Sequence, residues 1–318
     1  MRFAVDTWQP EYGSGTDVGS LAPSEVETQI DIEVPIGQWA PVPCTAGAAP
    51  LVFFVDGVRR VEARVWITEA DGSLHLGIAA SYAAGVVRCD RQAKVIDTAV
   101  ERRLFTAAPS AEAIETRYGR FPVSASASQT AEDLSLDLQQ NMGALEAALA
   151  RRASSGQPGL VVIDGPLRSG AHKRGTVGSI KTQHRSYGPP IVQQTVARLR
   201  AGERTPVFVV GGAFPCWSWY VRLPGPVPHP LAAVVRCVVD ADIERDAVFA
   251  LADTVTATLP RYASSPAKDA RAPQNLYPIA GLENDLRHRL GDQQLILRGL
   301  SLASSVASTR DVSAPAPR

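Results

Sequence analysis

The chain has 318 residues, 45% hydrophobic and 20% charged, with 32 basic residues balancing 32 acidic ones. That length allows one large domain or two ordinary ones, each with a real core. A formal net charge of +0 excludes nucleic-acid binding through the overall field, so such a role needs a local basic patch.

Residues 1–45 are polar, with scattered Gly, Pro and Ser, and read as an N-terminal extension or arm. Ile30-Asp-Ile-Glu-Val34 alternates and predicts one strand there. Residues 50–90 predict a three-stranded meander. Leu51–Val55 is the first strand and Val58–Thr68 the second. Ala70-Asp-Gly72 is a turn signal and Ser73–Ala80 the third strand, with Tyr82–Cys89 as its extension. Residues 108–130, rich in Ala and Ser, read as loop.

Thr130–Arg152 predicts a helix. Thr130-Ala-Glu-Asp133 fits a capping box, and Leu134, Leu138, Met142, Leu145 and Leu149 recur at helical spacing. Glu146 lies beside that stripe, where an ordinary solvated residue is the plainer reading. Leu160-Val-Val-Ile-Asp-Gly-Pro-Leu167 follows. An apolar run this short reads as a strand buried on both faces, with Asp164 at its end. The segment 168–185 then gathers Arg168, His172, Lys173, Arg174, Lys181, His184 and Arg185 among glycines, the composition of a phosphate-contacting loop or of an ordinary solvated one. No phosphate-binding P-loop sequence is present.

Further on, 190–201 predicts a helix. Segments 206–210, 217–223 and 232–239 predict strands, and 246–259 a helix. Residues 261–275 are loop-like, 276–289 predict a last helix, and a flexible tail is expected over 301–318. Trp217-Ser-Trp-Tyr220 reads as core more readily than as a base-stacking platform. Cys44, Cys89, Cys216 and Cys237 are far apart with no C-x-x-C pair, which argues against zinc and against a disulfide framework. Asp6 and Glu11 interrupt any leader-like run, and no segment nears the roughly eighteen apolar residues of a membrane span. A cytoplasmic setting is the plain expectation.

One pattern occurs twice. Leu51-Val-Phe-Phe-Val-Asp-Gly57 and Leu160-Val-Val-Ile-Asp-Gly165 are each an apolar strand running into Asp-Gly. A lone buried carboxylate costs several kcal/mol, so such acids belong at a mouth, a metal or a cation. Two strands delivering Asp56 and Asp164 suit a metal-dependent phosphodiester-cutting site. Taken alone, Asp56-Gly57 also reads as a turn.

These two strand ends, Gly178-Ser-Ile-Lys181 after the second, and Tyr277-Pro278 opening a late helix resemble the NurA nuclease family over roughly residues 50–290. The resemblance implies an α/β fold with an RNase H-like core, a mixed sheet flanked by helices, spanning about 46–300. It implies a manganese- or magnesium-dependent nuclease acting on DNA ends with two ions. It further implies a homodimer coupled to a HerA-type hexameric ATPase. By position, Asp56, Glu146 and Asp164 match family acids, and Lys181 and Tyr277 match the family lysine and tyrosine. Where the family has a histidine, Asp285 stands, with His288 one turn on. Asp56, Glu146, Asp164 and Asp285 are therefore the expected metal ligands, with Lys181 at the scissile phosphate. Arg168, Lys173, Arg174, Lys181 and Arg185 are the expected DNA contacts. A catalytically inactive docking module for the same kind of ATPase is the alternative, suggested by the missing histidine. In an unrelated α/β enzyme the Asp-Gly pairs would be mere turns, with Asp56 and Asp164 far apart.

Overall fold

The computed structural model describes residues 21–167 and 175–312, with side chains to Ser305. The strands are β1 (Ala22–Pro23), β2 (Thr28–Gln29), β3 (Val42–Pro43), β4 (Val52–Thr68), β5 (Leu74–Cys89), β6 (Ala93–Thr106), β7 (Ile114–Thr116), β8 (Gly119–Phe121) and β9 (Val123–Ala125). Helix α1 (Ala131–Gly156) leads to β10 (Leu160–Asp164), β11 (Thr176–Ile180) and β12 (Arg185–Ser186). Then come α2 (Pro190–Arg198), β13 (Glu203–Arg204), β14 (Phe208–Val210), β15 (Cys216–Arg222), β16 (Val234–Asp240), α3 (Arg245–Thr258), α4 (Tyr277–Arg289) and α5 (Gln293–Val312). The fold is α/β, with mixed sheet flanked by helices.

The chain divides into two compact units. The first takes the described residues within Met1–Asp56, Val86–Ile96 and Ala147–Leu282. Its strands run in the order β2, β14, β15, β16, β11, β10, β4, with β13 beside β15 and β3 beside β13. β10 is parallel to both β4 and β11, and β16 is antiparallel to β11 and β15. Strands in the middle of such a sheet are covered on both faces, which explains why Val52–Val55 and Leu160–Ile163 are apolar without alternation. On one face Val192 and Val196 of α2 pack with Ile30, Trp39, Phe208, Tyr220 and Val234. Trp217, one strand residue out of phase with Ser218 and Tyr220, meets Phe249 of α3 edge-on at 6.4 Å. The Trp-Ser-Trp-Tyr segment is thus core.

The second unit takes Gly57–Gly85, Asp97–Glu146 and the described residues from Glu283 onward. Here the order is β4, β5, β6, β9, with β7 and β8 as a separate ribbon. Strand alternation sends Ile78, Ala80, Tyr82 and Phe105 toward Leu134, Leu138 and Met142 of α1. It sends Ala79 and Leu104 toward Phe121, Ile296 and Leu300. The turn between β4 and β5 is the expected one: Gly72 has φ +84°, and its N–H donates to the Glu69 carbonyl at 2.9 Å. At the start of α1 the Thr130 hydroxyl accepts from the Asp133 N–H at 3.1 Å and donates to the Asp133 carboxylate at 2.7 Å. Hydrogen bonds from Ser128 and then Thr130 hold that carboxyl below its usual range.

Several expectations are corrected. β4 runs through Asp56-Gly57 without a turn, so Asp56 lies inside a strand rather than at its end. β6 and the short β7–β9 occupy segments that carried no strand signal. The described part of the N-terminal segment carries β1, β2 and β3 and no strand over 30–34, and its Ile30 and Trp39 are core residues of the first unit. Of the expected tail, residues 301–312 continue α5, and 313–318 lie outside the described residues. Its serines fold back onto the helix, Ser301 Oγ donating to the Leu297 carbonyl and Ser305 Oγ to that of Ser301. All four cysteines are free thiols.

The arm is pinned by charge. The Arg204 guanidinium, nearly fully buried, donates to both Glu33 oxygens at 2.8 and 2.7 Å and to Asp253 Oδ1 at 2.8 Å. Glu33 also accepts the Val207 N–H at 2.6 Å. Removing Glu33 leaves the buried Arg204 with Asp253 as its remaining acid and takes the acceptor from the Val207 N–H, at a cost of about 1–3 kcal/mol. Glu33→Ala is expected to lower the unfolding free energy by about that amount in urea titration; a loss under about 0.5 kcal/mol, the scale of an exposed pair, would show that the arm is not held this way.

Candidate metal centre

Three acids converge. Asp56, Asp164 and Glu283 each offer a carboxylate oxygen, and the three oxygens lie within 4.8 Å of one another. Such a buried acidic group has the donor chemistry to hold a metal ion.

The first two acids are placed by strand register. β4 and β10 are parallel, with Leu160 opposite Val52 and Ile163 opposite Val55. One step further along both strands stand Asp56 and Asp164. Residues opposed in register point to the same face, so the doubled motif becomes two adjacent carboxylates. Glycines make room. Gly165 turns the chain away just after Asp164, with φ +104°, and its N–H donates to the Ser179 carbonyl at 2.8 Å. A Cβ on Gly178 would stand 2.6 Å from the Gly165 carbonyl oxygen, so this turn packs on β11 only because Gly178 has none.

Lys181 follows β11. Asp164 pairs in register with Ser179, which places Lys181 two residues on, on the same face. Its ammonium donates to Asp164 Oδ2 at 2.6 Å and to Asn275 Oδ1 at 2.9 Å. Asn275, fully buried, donates in turn to Asp269 Oδ2 at 2.8 Å. Lys181 and Asp164 keep side-chain exposures of 15% and 13%, so the pair is reachable from solvent.

Glu283 is the acid that sequence reasoning missed. In α4 the buried stripe is Ile279, Leu282, Leu286 and Leu290. Glu283, four residues after Ile279 and three before Leu286, borders that stripe and is 5% exposed. Asp285 is two residues on, roughly 200° around the helix. It pairs with Arg289 at 2.6 Å, half open to solvent, and His288 is exposed. α4 thus brings Glu283, rather than Asp285, to the acid group. The helical wheel was the available signal, and the family register concealed it.

Glu146 stands outside the three-acid group but is buried rather than solvated, at 8% exposure. A Cβ on Gly57, the residue after Asp56, would lie 2.5 Å from Glu146 Oε1 and 2.9 Å from Met142 Cγ. The absent side chain at Gly57 lets that carboxylate lie against β4. Tyr277 opens α4, where its hydroxyl donates to Ser265 Oγ at 3.1 Å and Lys268 Nζ sits 5.5 Å from its ring centre. Of the expected DNA contacts, Lys181 is at the acids, Arg185 is exposed on β12, and Arg168, Lys173 and Arg174 lie outside the described residues.

No family model matches this chain, and no curated protein matches it significantly.

Two outcomes test this geometry. Gly57→Ala drives a methyl group into Glu146 and Met142 and is expected to destabilise the fold by about 1–3 kcal/mol, read from urea midpoints. A divalent cation that binds only the folded state at about a hundred times its Kd is expected to add about 2.7 kcal/mol of stability. That gain should vanish in Asp164→Asn and Glu283→Gln and persist in Asp285→Asn when followed by thermal unfolding.

Proposed function

We propose that the chain is a metal-dependent DNA nuclease that hydrolyses phosphodiester bonds at DNA ends. The observation that carries this reading is the convergence of Asp56, Asp164 and Glu283 beside the ammonium of Lys181. Oxygen-only ligands favour hard cations, so Mg²⁺ or Mn²⁺ is the expected ion. Asp56 would hold the metal together with the other acids, and the metal would supply Lewis-acid activation of a water and of the leaving oxygen of the scissile bond. Asp164 and Glu283 would complete the ligand set, with buried Glu146 against Gly57, the residue after Asp56. Lys181, held by Asp164 and Asn275, has the charge and position to face the scissile phosphate. Arg185 and the basic residues of 168–174 would guide the DNA backbone.

The acid convergence also bears on a competing reading. An enzyme in which Asp56-Gly57 and Asp164-Gly165 are mere turns would leave the two acids apart. An RNase H-like core, a homodimer and a HerA-type ATPase partner belong to this proposal through the sequence resemblance. With no nucleotide-binding motif in the chain, a separate motor would have to feed the DNA. No helix among the described residues is long and apolar enough to cross a membrane.

The test is cleavage of end-labelled linear DNA, single- and double-stranded, with Mn²⁺, Mg²⁺ or EDTA. The native protein is expected to degrade DNA only with metal. Removing a ligand forfeits several kcal/mol of transition-state stabilisation, so Asp56→Asn, Asp164→Asn and Glu283→Gln should each lose roughly a hundredfold or more. Asp285→Asn should stay near native. Metal-independent cleavage, or loss in Asp285→Asn alone, would overturn the assignment.

A further inference from the structure

In the first unit, a cleft of about 290 Å³ is lined by Cys89, Asp90, Arg91, Gln92, Tyr262, Tyr277 and Pro278. Two aromatic side chains bound it. Tyr262 is braced from behind, its ring edge-on to buried Phe54 at 4.8 Å. Tyr277 is 39% exposed, and its hydroxyl donates to Ser265. Cations lie close: Arg91 is in the wall, and Lys268 rests on the Tyr277 ring. The acid in the wall is already committed. Asp90 pairs with Arg88 at 2.8 Å and accepts the backbone N–H groups of Arg91 and Gln92. Cys89 adds no reactivity, since burial pushes its thiol up to about 11. What remains is a shallow slot with rigid ring walls, a cationic rim and no nucleophile.

Its place in the chain links it to the acids. Tyr277 lies two residues after Asn275, which holds Lys181, which holds Asp164.

We infer that this cleft receives one unpaired nucleobase, stacked against Tyr277 and Tyr262, of a DNA strand whose backbone passes the acid centre. A base has two π-faces and suits aromatic walls irrespective of sequence, whereas a paired base is not free to enter. The nuclease would therefore prefer single-stranded ends, or ends frayed by at least one base. This inference rests on the nuclease reading and names the form of its substrate.

The test measures binding of the full chain to a labelled dT12 strand and to an abasic strand of equal length, in EDTA, so that no cleavage is required. Fluorescence anisotropy is expected to give roughly 5- to 100-fold tighter binding of dT12, the range for stacking one base on an aromatic ring. Tyr262→Leu and Tyr277→Leu should each erase most of that preference without changing affinity for the abasic strand, and Tyr277→Phe should keep it. Circular dichroism of the variants checks that they fold. Equal binding of the two strands by a native protein that still cleaves DNA with metal would overturn the cleft alone. Base-dependent binding without any metal-dependent cleavage would uphold the cleft and remove the nuclease reading. Binding to neither strand would overturn the cleft, with the cleavage assay left to decide the enzyme.

Discussion

Everything at the candidate site depends on the parallel register of β4 and β10. Neighbouring strands lie about 4.8 Å apart, so two aspartates at the same level cannot avoid each other. Two ionised carboxylates at that distance repel, and a third, Glu283, is brought to the same place. The register is what matters, because a slip of one residue would turn one of the two aspartates to the opposite face. The sheet thereby brings the carboxylates together, with the Lys181 ammonium on Asp164.

The surrounding residues are economical in one respect: the carboxylates need close backbone, and glycine provides it. Gly57 lets Glu146 lie against β4. Gly165 redirects the chain immediately after Asp164, and Gly178 accepts the redirected carbonyl. Each is a place where a methyl group would displace either an acid or the strand that carries it. Asn275 and Asp269 then hold Lys181 in a fixed position, so the ammonium is oriented rather than free to sample solvent.

Much of this was legible in the sequence, for physical reasons that also set the limits. Asp56 and Asp164 were visible because uniformly apolar strands announce double-sided burial, and acids beside them need a partner; Lys181 was pointed to by the family resemblance. The helix over 131–156 was visible from its leucine spacing and its capping threonine. The continuation of β4 past Gly57 was hidden, since Asp-Gly is an equally good turn and only the packing of Glu146 and Met142 against that glycine decides the matter. β6 was hidden by its polar residues: Glu101, Arg102 and Arg103 each find partners that a sequence does not display. Glu283 was legible in principle from the stripe of Ile279, Leu282 and Leu286, yet matching a family position drew attention two residues too far. Asn275 had no local signal, because its value lies in a contact 94 positions away.

The central claim is that a divalent cation sits on the oxygens of Asp56, Asp164 and Glu283. Anomalous diffraction from Mn²⁺-soaked crystals tests it without reference to any activity. The account predicts manganese peaks in contact with all three carboxylates, with Asp285 still paired to Arg289. A peak bound through Asp285, or none at the acids at saturating Mn²⁺, would contradict it.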